Sequence, residues 1–327
     1  MTTEKETIRY SIIIPAYNAA KTLQDALVAL QQQSVSATEY EVIVVDDGST
    51  DETAALARSL GANCISQSNR GPAAARKHGV NAARGDIILF TDADCIPDQE
   101  WIRQITLPFQ NELTVGVKGA YRTRQTELAA RFAQAEFEDR YDHLKKVAAI
   151  DMVDTYSAAF RREVFITIGL FDESFPVANN EDTELSYRLC AAGYLLEFNP
   201  RALVYHLHPD SFAKYLILKF KRGYWRMVVY RNYPKKAVKD TYTPAIIKLQ
   251  TMTAALSLAA IFFSPVFPKL LTVAVCLCLG IMLSSIPFSI KTFKKDPVVG
   301  LISPSVVLGR AIAFALGSLF SVFHKGK

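Results

Sequence analysis

Two phosphate-cradling signatures are missing from this chain. It contains no Gly-x-Gly-x-x-Gly and no Gly-x-x-x-x-Gly-Lys-Ser/Thr. A dinucleotide site or a P-loop is therefore disfavoured, because neither works without its glycines. Cysteine is sparse. Cys64, Cys95, Cys190, Cys276 and Cys278 are the five, and none sits in a Cys-x-x-Cys pair. They read as reduced packing residues in a cytosolic setting. Residues 1–9 are polar and charged, without the apolar run of an export signal, so the first domain is expected on the cytoplasmic side. No internal repeat, no low-complexity tract and no nucleic-acid platform is visible, and no nucleic-acid partner is expected.

What the chain has in excess is apolar residues near its end. Of 327 residues, 50% are hydrophobic, and mean hydropathy is +0.11. That is high for a wholly soluble enzyme, and the surplus lies after about Thr243. The net charge of +5 comes from 37 basic against 32 acidic residues. Many of the basic residues flank the apolar segments, which suits a membrane surface.

The first two hundred residues alternate strand and helix signals. Ser11-Ile12-Ile13-Ile14 is a short apolar run stopped by Pro15, and residues 41–45 form a second one. Between them, residues 21–33 place Leu23, Leu27 and Leu30 on one helical face. This order predicts an α/β fold with a mostly parallel sheet and right-handed crossovers. Asn69-Arg70-Gly71-Pro72 opens a further helix, with Pro72 at its first position. That helix carries Arg76 and Lys77, suited to a diphosphate. Residues 126–150 read as an amphipathic helix over the acceptor side of the same domain.

The carboxylates carry the chemistry. Ile87 to Phe90 is a buried strand that runs into Thr91-Asp92-Ala93-Asp94. Carboxylates at the carboxyl end of such a strand lie where open α/β sheets bind ligands. Spaced i, i+2, both can converge on one hard cation or one sugar hydroxyl. A second acidic pair, Glu181 and Asp182, opens a helix over residues 183–192, capped by Asn180 or Asp182 and ended by Gly193. A fixed carboxylate there can take the proton of an attacking hydroxyl. Adjacent carboxylates raise each other's pKa. Residues 201–205 form a last strand, followed by His206-Leu207-His208.

The ordered set Ser11-Ile-Ile-Ile-Pro-Ala-Tyr-Asn18, Val45-Asp-Asp-Gly-Ser-Thr-Asp51, Asn69-Arg-Gly-Pro with Arg76, and Asp92-Ala-Asp94 resembles the family 2 glycosyltransferases of the GT-A fold. The resemblance covers about residues 10–208. It implies an inverting transfer from a nucleotide-diphosphate sugar, UDP being the likelier nucleotide by family frequency alone, with Mg2+ or Mn2+. By the same resemblance, Pro15, Tyr17 and Asp47 border base and ribose, and Asp92 lies near the ribose. Asn18, Asn69, Arg76 and Ala93 join that donor set. Asp94 holds the metal with His206, or His208 as the alternative. Asp182 is the general base, and Glu181 orients or binds the acceptor.

The remainder reads as a membrane region. Residues 209–243 form a basic, aromatic helix for the headgroup layer, mainly over 211–232. The Gln of the Gln-x-x-Arg-Trp element of processive relatives is absent near Trp225, so a processive polymerase is not supported. Within 244–327, residues 249–268 and 270–290 are each long enough to cross as a hairpin. Residues 298–323 are interrupted by Pro304 and Arg310, and are expected in the interface. The reading is thus a catalytic domain over 1–208, cytoplasmic and anchored to the cell membrane. It would glycosylate a lipid-linked or other membrane-associated glycan in cell-envelope synthesis and contact membrane lipids. A polyprenyl-phosphate sugar synthase, a sugar-nucleotide-binding protein without turnover and a nucleotidyltransferase are the rivals.

Overall fold

The structure is a computed structural model that describes residues 8–173 and 180–323. In chain order its elements are β1 (Tyr10–Ala16), α1 (Leu23–Gln31), β2 (Tyr40–Asp46), α2 (Thr53–Ser59), β3 (Asn63–Ser66), α3 (Pro72–Ala82), β4 (Ile87–Thr91), β5 (Ile96–Pro97), α4 (Trp101–Thr106), β6 (Thr114–Arg122) and α5 (Leu128–Leu144). They continue as β7 (Ser157–Arg161), α6 (Arg162–Thr167), α7 (Glu181–Ala191), β8 (Leu195–Tyr205), α8 (Phe212–Asn232), α9 (Pro234–Val238), α10 (Ala245–Phe263), α11 (Lys269–Ser284), α12 (Ile286–Phe293) and α13 (Pro297–Phe320). Two compact units result. One gathers residues up to 124 with 144–207, the other residues 125–143 with those from 208 on.

The first unit is built on one eight-stranded sheet, ordered β3-β2-β1-β4-β7-β6-β8-β5. Its parallel half is the expected one. β1 lies between β2 and β4, with Ile14 opposite Val44 and Ile13 opposite Phe90. Ile12, Ile13, Ile14, Leu89 and Phe90 have no exposed surface, as strands covered on both faces require. Beyond β4 the sheet turns mixed, because β7 and then β6 pair antiparallel. The last long strand is also longer than expected, covering 195–205 instead of 201–205. Its ladder to β6 breaks between Phe198 and Leu203. Asn199-Pro200 falls in that break, where a proline's missing N–H costs no ladder bond.

The helices that matter for the site start and stop as their ends dictate. Pro72 occupies the first position of α3, behind Gly71 with φ of 89°. The helix after Asn180 begins at Glu181, two residues earlier than expected. Asn180, at φ 67°, makes no side-chain cap bond. Beyond its end, Gly193 takes φ of 85° and donates to Cys190.

The second unit is helical. It takes in residues 125–143, and with them most of the expected amphipathic helix. That helix ends at Leu144, and Phe132 on it packs in a core with Tyr215, Ala254, Ile281, Val299 and Val307. Its Glu136 is buried and accepts from Lys219 Nζ and from Tyr215 Oη, each at 2.7 Å. It also pairs with Arg310, whose other nitrogen donates to Gln250 Oε1 at 2.6 Å. Arg310 is thus 6% exposed and neutralised inside the unit. Ala245–Phe263, Lys269–Phe293 and Pro297–Phe323 are long and apolar enough to cross a membrane.

α8 and α13 run side by side. A Cβ on Gly317 would sit 2.0 Å from the Phe220 carbonyl oxygen, and one on Gly223 would sit 2.6 Å from that of Phe314. Only glycine permits backbones this close. Farther along, Arg231 Nη2 donates to the Ser321 carbonyl at 2.5 Å.

Candidate active site

Three strand ends of the first unit carry the residues expected on the donor side. The turn after β1 and the turn after β2 are sewn together. Asn18, at φ 49°, accepts from Thr50 N at 2.8 Å through Oδ1, and its own N–H donates to Ser49 Oγ at 2.9 Å. Tyr17, beside Pro15, is 52% exposed, so its ring faces solvent.

Asp47 is spoken for by the chain itself. Oδ1 accepts from Arg70 N at 2.9 Å and from Gln67 Nε2 at 2.7 Å, and Oδ2 accepts from Gly71 N at 2.8 Å. A carboxylate with about four acceptor positions keeps little capacity after three such bonds. Asp47 therefore orders the loop that contains Asn69 and opens α3. The adjacent Gly48 needs its φ of 77°, and a Cβ there would meet Asn69 N at 2.8 Å.

Arg76 joins two elements far apart in sequence. Its guanidinium is nearly unexposed and donates to Asp92 Oδ1 at 3.0 Å and to Glu181 Oε1 at 2.7 Å. It also lies over the Phe171 ring at 5.7 Å. Burial opposes its charge, and Asp92, Glu181 and Asp182 overcome this, so its pKa moves up. The end of β4 and the start of α7 thus share one cation.

Glu181 feels burial first and the neighbouring Asp182 second, and its carboxyl is pushed up to about 7 despite Arg76. Its Oε2 is buried without a hydrogen-bond partner among the described residues. Asp182 is half-buried, and its Oδ1 accepts from Thr183 N at 2.7 Å. Ser186 Oγ donates to the Asp182 carbonyl at 2.7 Å and accepts from Val153 N, fixing that turn of helix.

Asp94 lies past the turn that follows β4, and Ala93 before it is buried. Asp94 Oδ1 sits 3.4 Å from His206 Nδ1. Burial disfavours the Asp94 charge, but the hydrogen bond and charge of His206 outweigh it and lower the carboxyl's pKa. The His206 ring meets the Tyr121 ring edge-on at 5.1 Å. His208 is placed differently. It belongs to the second unit, stacks on Phe137, and its Nε2 lies 3.0 Å from Gln134 Oε1. Of the two histidines that follow β8, His206 is the one beside Asp94.

Cys95, read as a packing residue, is fully buried, and its Sγ lies 3.6 Å from His206 Nδ1 and 3.9 Å from Asp94 Oδ1. The signal for its nearness to Asp94 was its position directly after that residue.

Residues 11–169 match the family model "Glycosyl transferase family 2". Glycosyltransferase AglE of Haloferax volcanii is 28% identical over 200 residues, covering 58% of this chain and 63% of that protein. Poly-beta-1,6-N-acetyl-D-glucosamine synthase of Staphylococcus aureus is 26% identical over 215 residues, 62% of this chain and 50% of that protein. The chain thus spans between half and two thirds of these curated relatives. The solved mannosyltransferase PcManGT from Pyrobaculum calidifontis, in complex with GDP-Man and Mn2+, superposes with a TM-score of 0.64. That alignment covers 97% of this chain and 88% of the other at 18% identity, which establishes the fold. With the motifs in one family order and the sheet they require in place, residues 11–169 form a glycosyl transferase family 2 domain, and the chain has the GT-A fold.

Proposed function

We propose that this protein is an inverting, cation-dependent glycosyltransferase that moves a sugar from a nucleotide-diphosphate sugar, UDP-linked by preference, to a lipid-linked or other membrane-associated glycan. The observation that carries this reading is the Arg76 bridge. By holding Asp92 and Glu181 on one guanidinium, Arg76 places the strand end of the donor side next to the carboxylates of α7.

The roles follow from chemistry. The exposed Tyr17 ring, with Pro15 and Asn18, flanks the base, and the Asp47-ordered loop presents Asn69 and the start of α3 to the phosphates. Asp92 faces the ribose. Asp94 and His206 fit a divalent cation, since a carboxylate oxygen and an imidazole nitrogen converge from two elements. Such a cation, Mg2+ or Mn2+, would neutralise the departing diphosphate. Asp182 takes the acceptor hydroxyl's proton on a carboxylate oxygen as that hydroxyl attacks the anomeric carbon. Glu181, buried and pushed up to about 7, presents its second oxygen to the acceptor. One base and one displacement leave no covalent intermediate, so the anomeric configuration inverts.

The second unit supports membrane attachment. Residues 249–290 form the helical hairpin, since α10 and α11 pack on each other. The cost of Arg310 in lipid, which argued against a third crossing, is largely removed by Glu136 and Gln250. The α8 neighbour gives a separate argument. Besides Lys219, which Glu136 pairs, α8 carries Lys214, Lys221, Arg222, Arg226 and Arg231, and α13 runs alongside it. Carrying those cations across would cost about 2.5–3.5 kcal/mol each at the bilayer centre. The pair therefore lies in the interface, with the catalytic domain on the cytoplasmic side.

A panel of nucleotide sugars incubated with membranes containing the protein tests the reading. The expected result is release of a nucleoside diphosphate and a glycan product of inverted configuration by NMR. Pyrophosphate release, or a retained configuration, would contradict it.

A further inference from the structure

Cys95 follows Asp94 directly and has no exposed surface. Burial alone is ordinary for a free cysteine. What sets this one apart is the direction of its thiol. Three donor atoms, Asp94 Oδ1, His206 Nδ1 and Cys95 Sγ, form a triangle with edges of 3.4, 3.6 and 3.9 Å. All three edges run between the same three atoms, and together they form a potential metal-ligand group.

These edges can be set against coordination geometry. A tetrahedral cation bound at about 2.3 Å to sulfur and about 2.0–2.2 Å to nitrogen and oxygen holds its donors roughly 3.4–3.6 Å apart. Two of the edges fall on that range and the third exceeds it by a few tenths of an ångström. Hard octahedral Mg2+ has little use for a thiol, whereas borderline and soft cations favour it. The donors are also fixed. Cys95 N donates to the Asp92 carbonyl at 3.0 Å, and Tyr121 braces the His206 ring. The Asp94 side chain is 43% exposed, which leaves a fourth position open to solvent.

We propose that Asp94, Cys95 and His206 form a three-donor site for a thiophilic divalent cation such as Zn2+, bound tetrahedrally with its fourth position open. The proposal rests on the cation site assigned above and adds Cys95 to it. Binding forms a sulfur–metal bond and releases the thiol proton to water, one proton per cation. Asp94 and His206 contribute lone pairs, and nothing is oxidised or reduced. Because two donors are shared, Zn2+ excludes the Mg2+ or Mn2+ that serves the donor diphosphate.

Co2+ spectroscopy on the full chain, metal-stripped in detergent, is the test. Co2+ stands in for Zn2+ and reports both geometry and sulfur ligation. The expected spectrum has intense tetrahedral visible bands and a near-ultraviolet thiolate-to-cobalt charge-transfer band, both removed by Zn2+. Cys95→Ser should lose the charge-transfer band and weaken Zn2+ binding by more than roughly tenfold. Cys64→Ser, elsewhere in the unit, should keep both. A wild-type spectrum with only weak octahedral bands and no charge-transfer band overturns the site, whatever the variants do. Mn2+-dependent nucleoside diphosphate binding by the same preparation checks the underlying cation site separately. Its failure beside a positive cobalt spectrum would sink the transferase reading and leave the three-donor site standing.

Discussion

Arg76 Nη1 lies 2.7 Å from Glu181 Oε1, and both side chains are only 3% exposed. The pair crosses 105 positions of sequence and closes the site from inside. A buried pair contributes little net stability, because both charges were desolvated to make it, but breaking it strands the survivor.

Arg76→Ala should therefore destabilise the protein by about 3–5 kcal/mol in chemical unfolding of the full chain. Arg76→Lys should not restore the lost stability, since a single ammonium lacks the planar fork that reaches two carboxylates. A loss under about 1 kcal/mol, the range of surface pairs, would mean the bridge does not form.

The pH dependence of stability follows from Glu181. Its carboxyl sits near 4.5 when unfolded and is pushed up to about 7 in the fold. The folded chain holds this proton more tightly, so the stability it contributes is fully present below about pH 4.5 and is lost as pH rises through about 7. Glu181→Gln cannot ionise. The stability of the variant relative to the wild type should rise between pH 5 and pH 8, measured by unfolding at both. A gap that stays constant would show that Glu181 is ionised throughout.

The ends of the hairpin bear on topology. Lys291 pairs with Asp139 at 2.5 Å and Asp142 at 3.0 Å, and Lys295 pairs with Glu138 at 2.6 Å. These cations follow α11 on the side where α5 lies, and positive residues mark the cytoplasmic side. With α13 in the interface, a cysteine placed at Val266 should be labelled by an impermeant reagent in sealed cells. One appended after Lys327 should not. Labelling of the appended cysteine from outside would show a third crossing.

Much of the parallel half-sheet was legible because its evidence is local. Ile12 to Ile14 and Ile87 to Phe90 are short apolar runs, and Gly71-Pro72 marks a helix start by backbone geometry alone. The extension of β8 was not, because Asn199-Pro200 looks like a turn until β6 accommodates it with a break in the ladder. The partners of residues 128–144 were hidden for another reason. An amphipathic face shows that something covers it, and Tyr215 and Val299 lie far along the chain. His206 was preferred to His208 because it directly follows the last strand, and the fold sets it beside Asp94 and His208 on Phe137. The approach of Cys95 to His206 was not legible, because the two stand 111 positions apart.

The proposed function turns on Asp182 acting as the base without itself holding the donor. Asp182→Asn keeps the shape and removes the basic oxygen. With one nucleotide sugar, its binding and the release of nucleoside diphosphate by the purified full chain can be measured side by side. Donor affinity should be unchanged while transfer falls by roughly 10²–10⁴-fold. Affinity lost in step with transfer, or transfer that persists at the wild-type rate, would contradict the account.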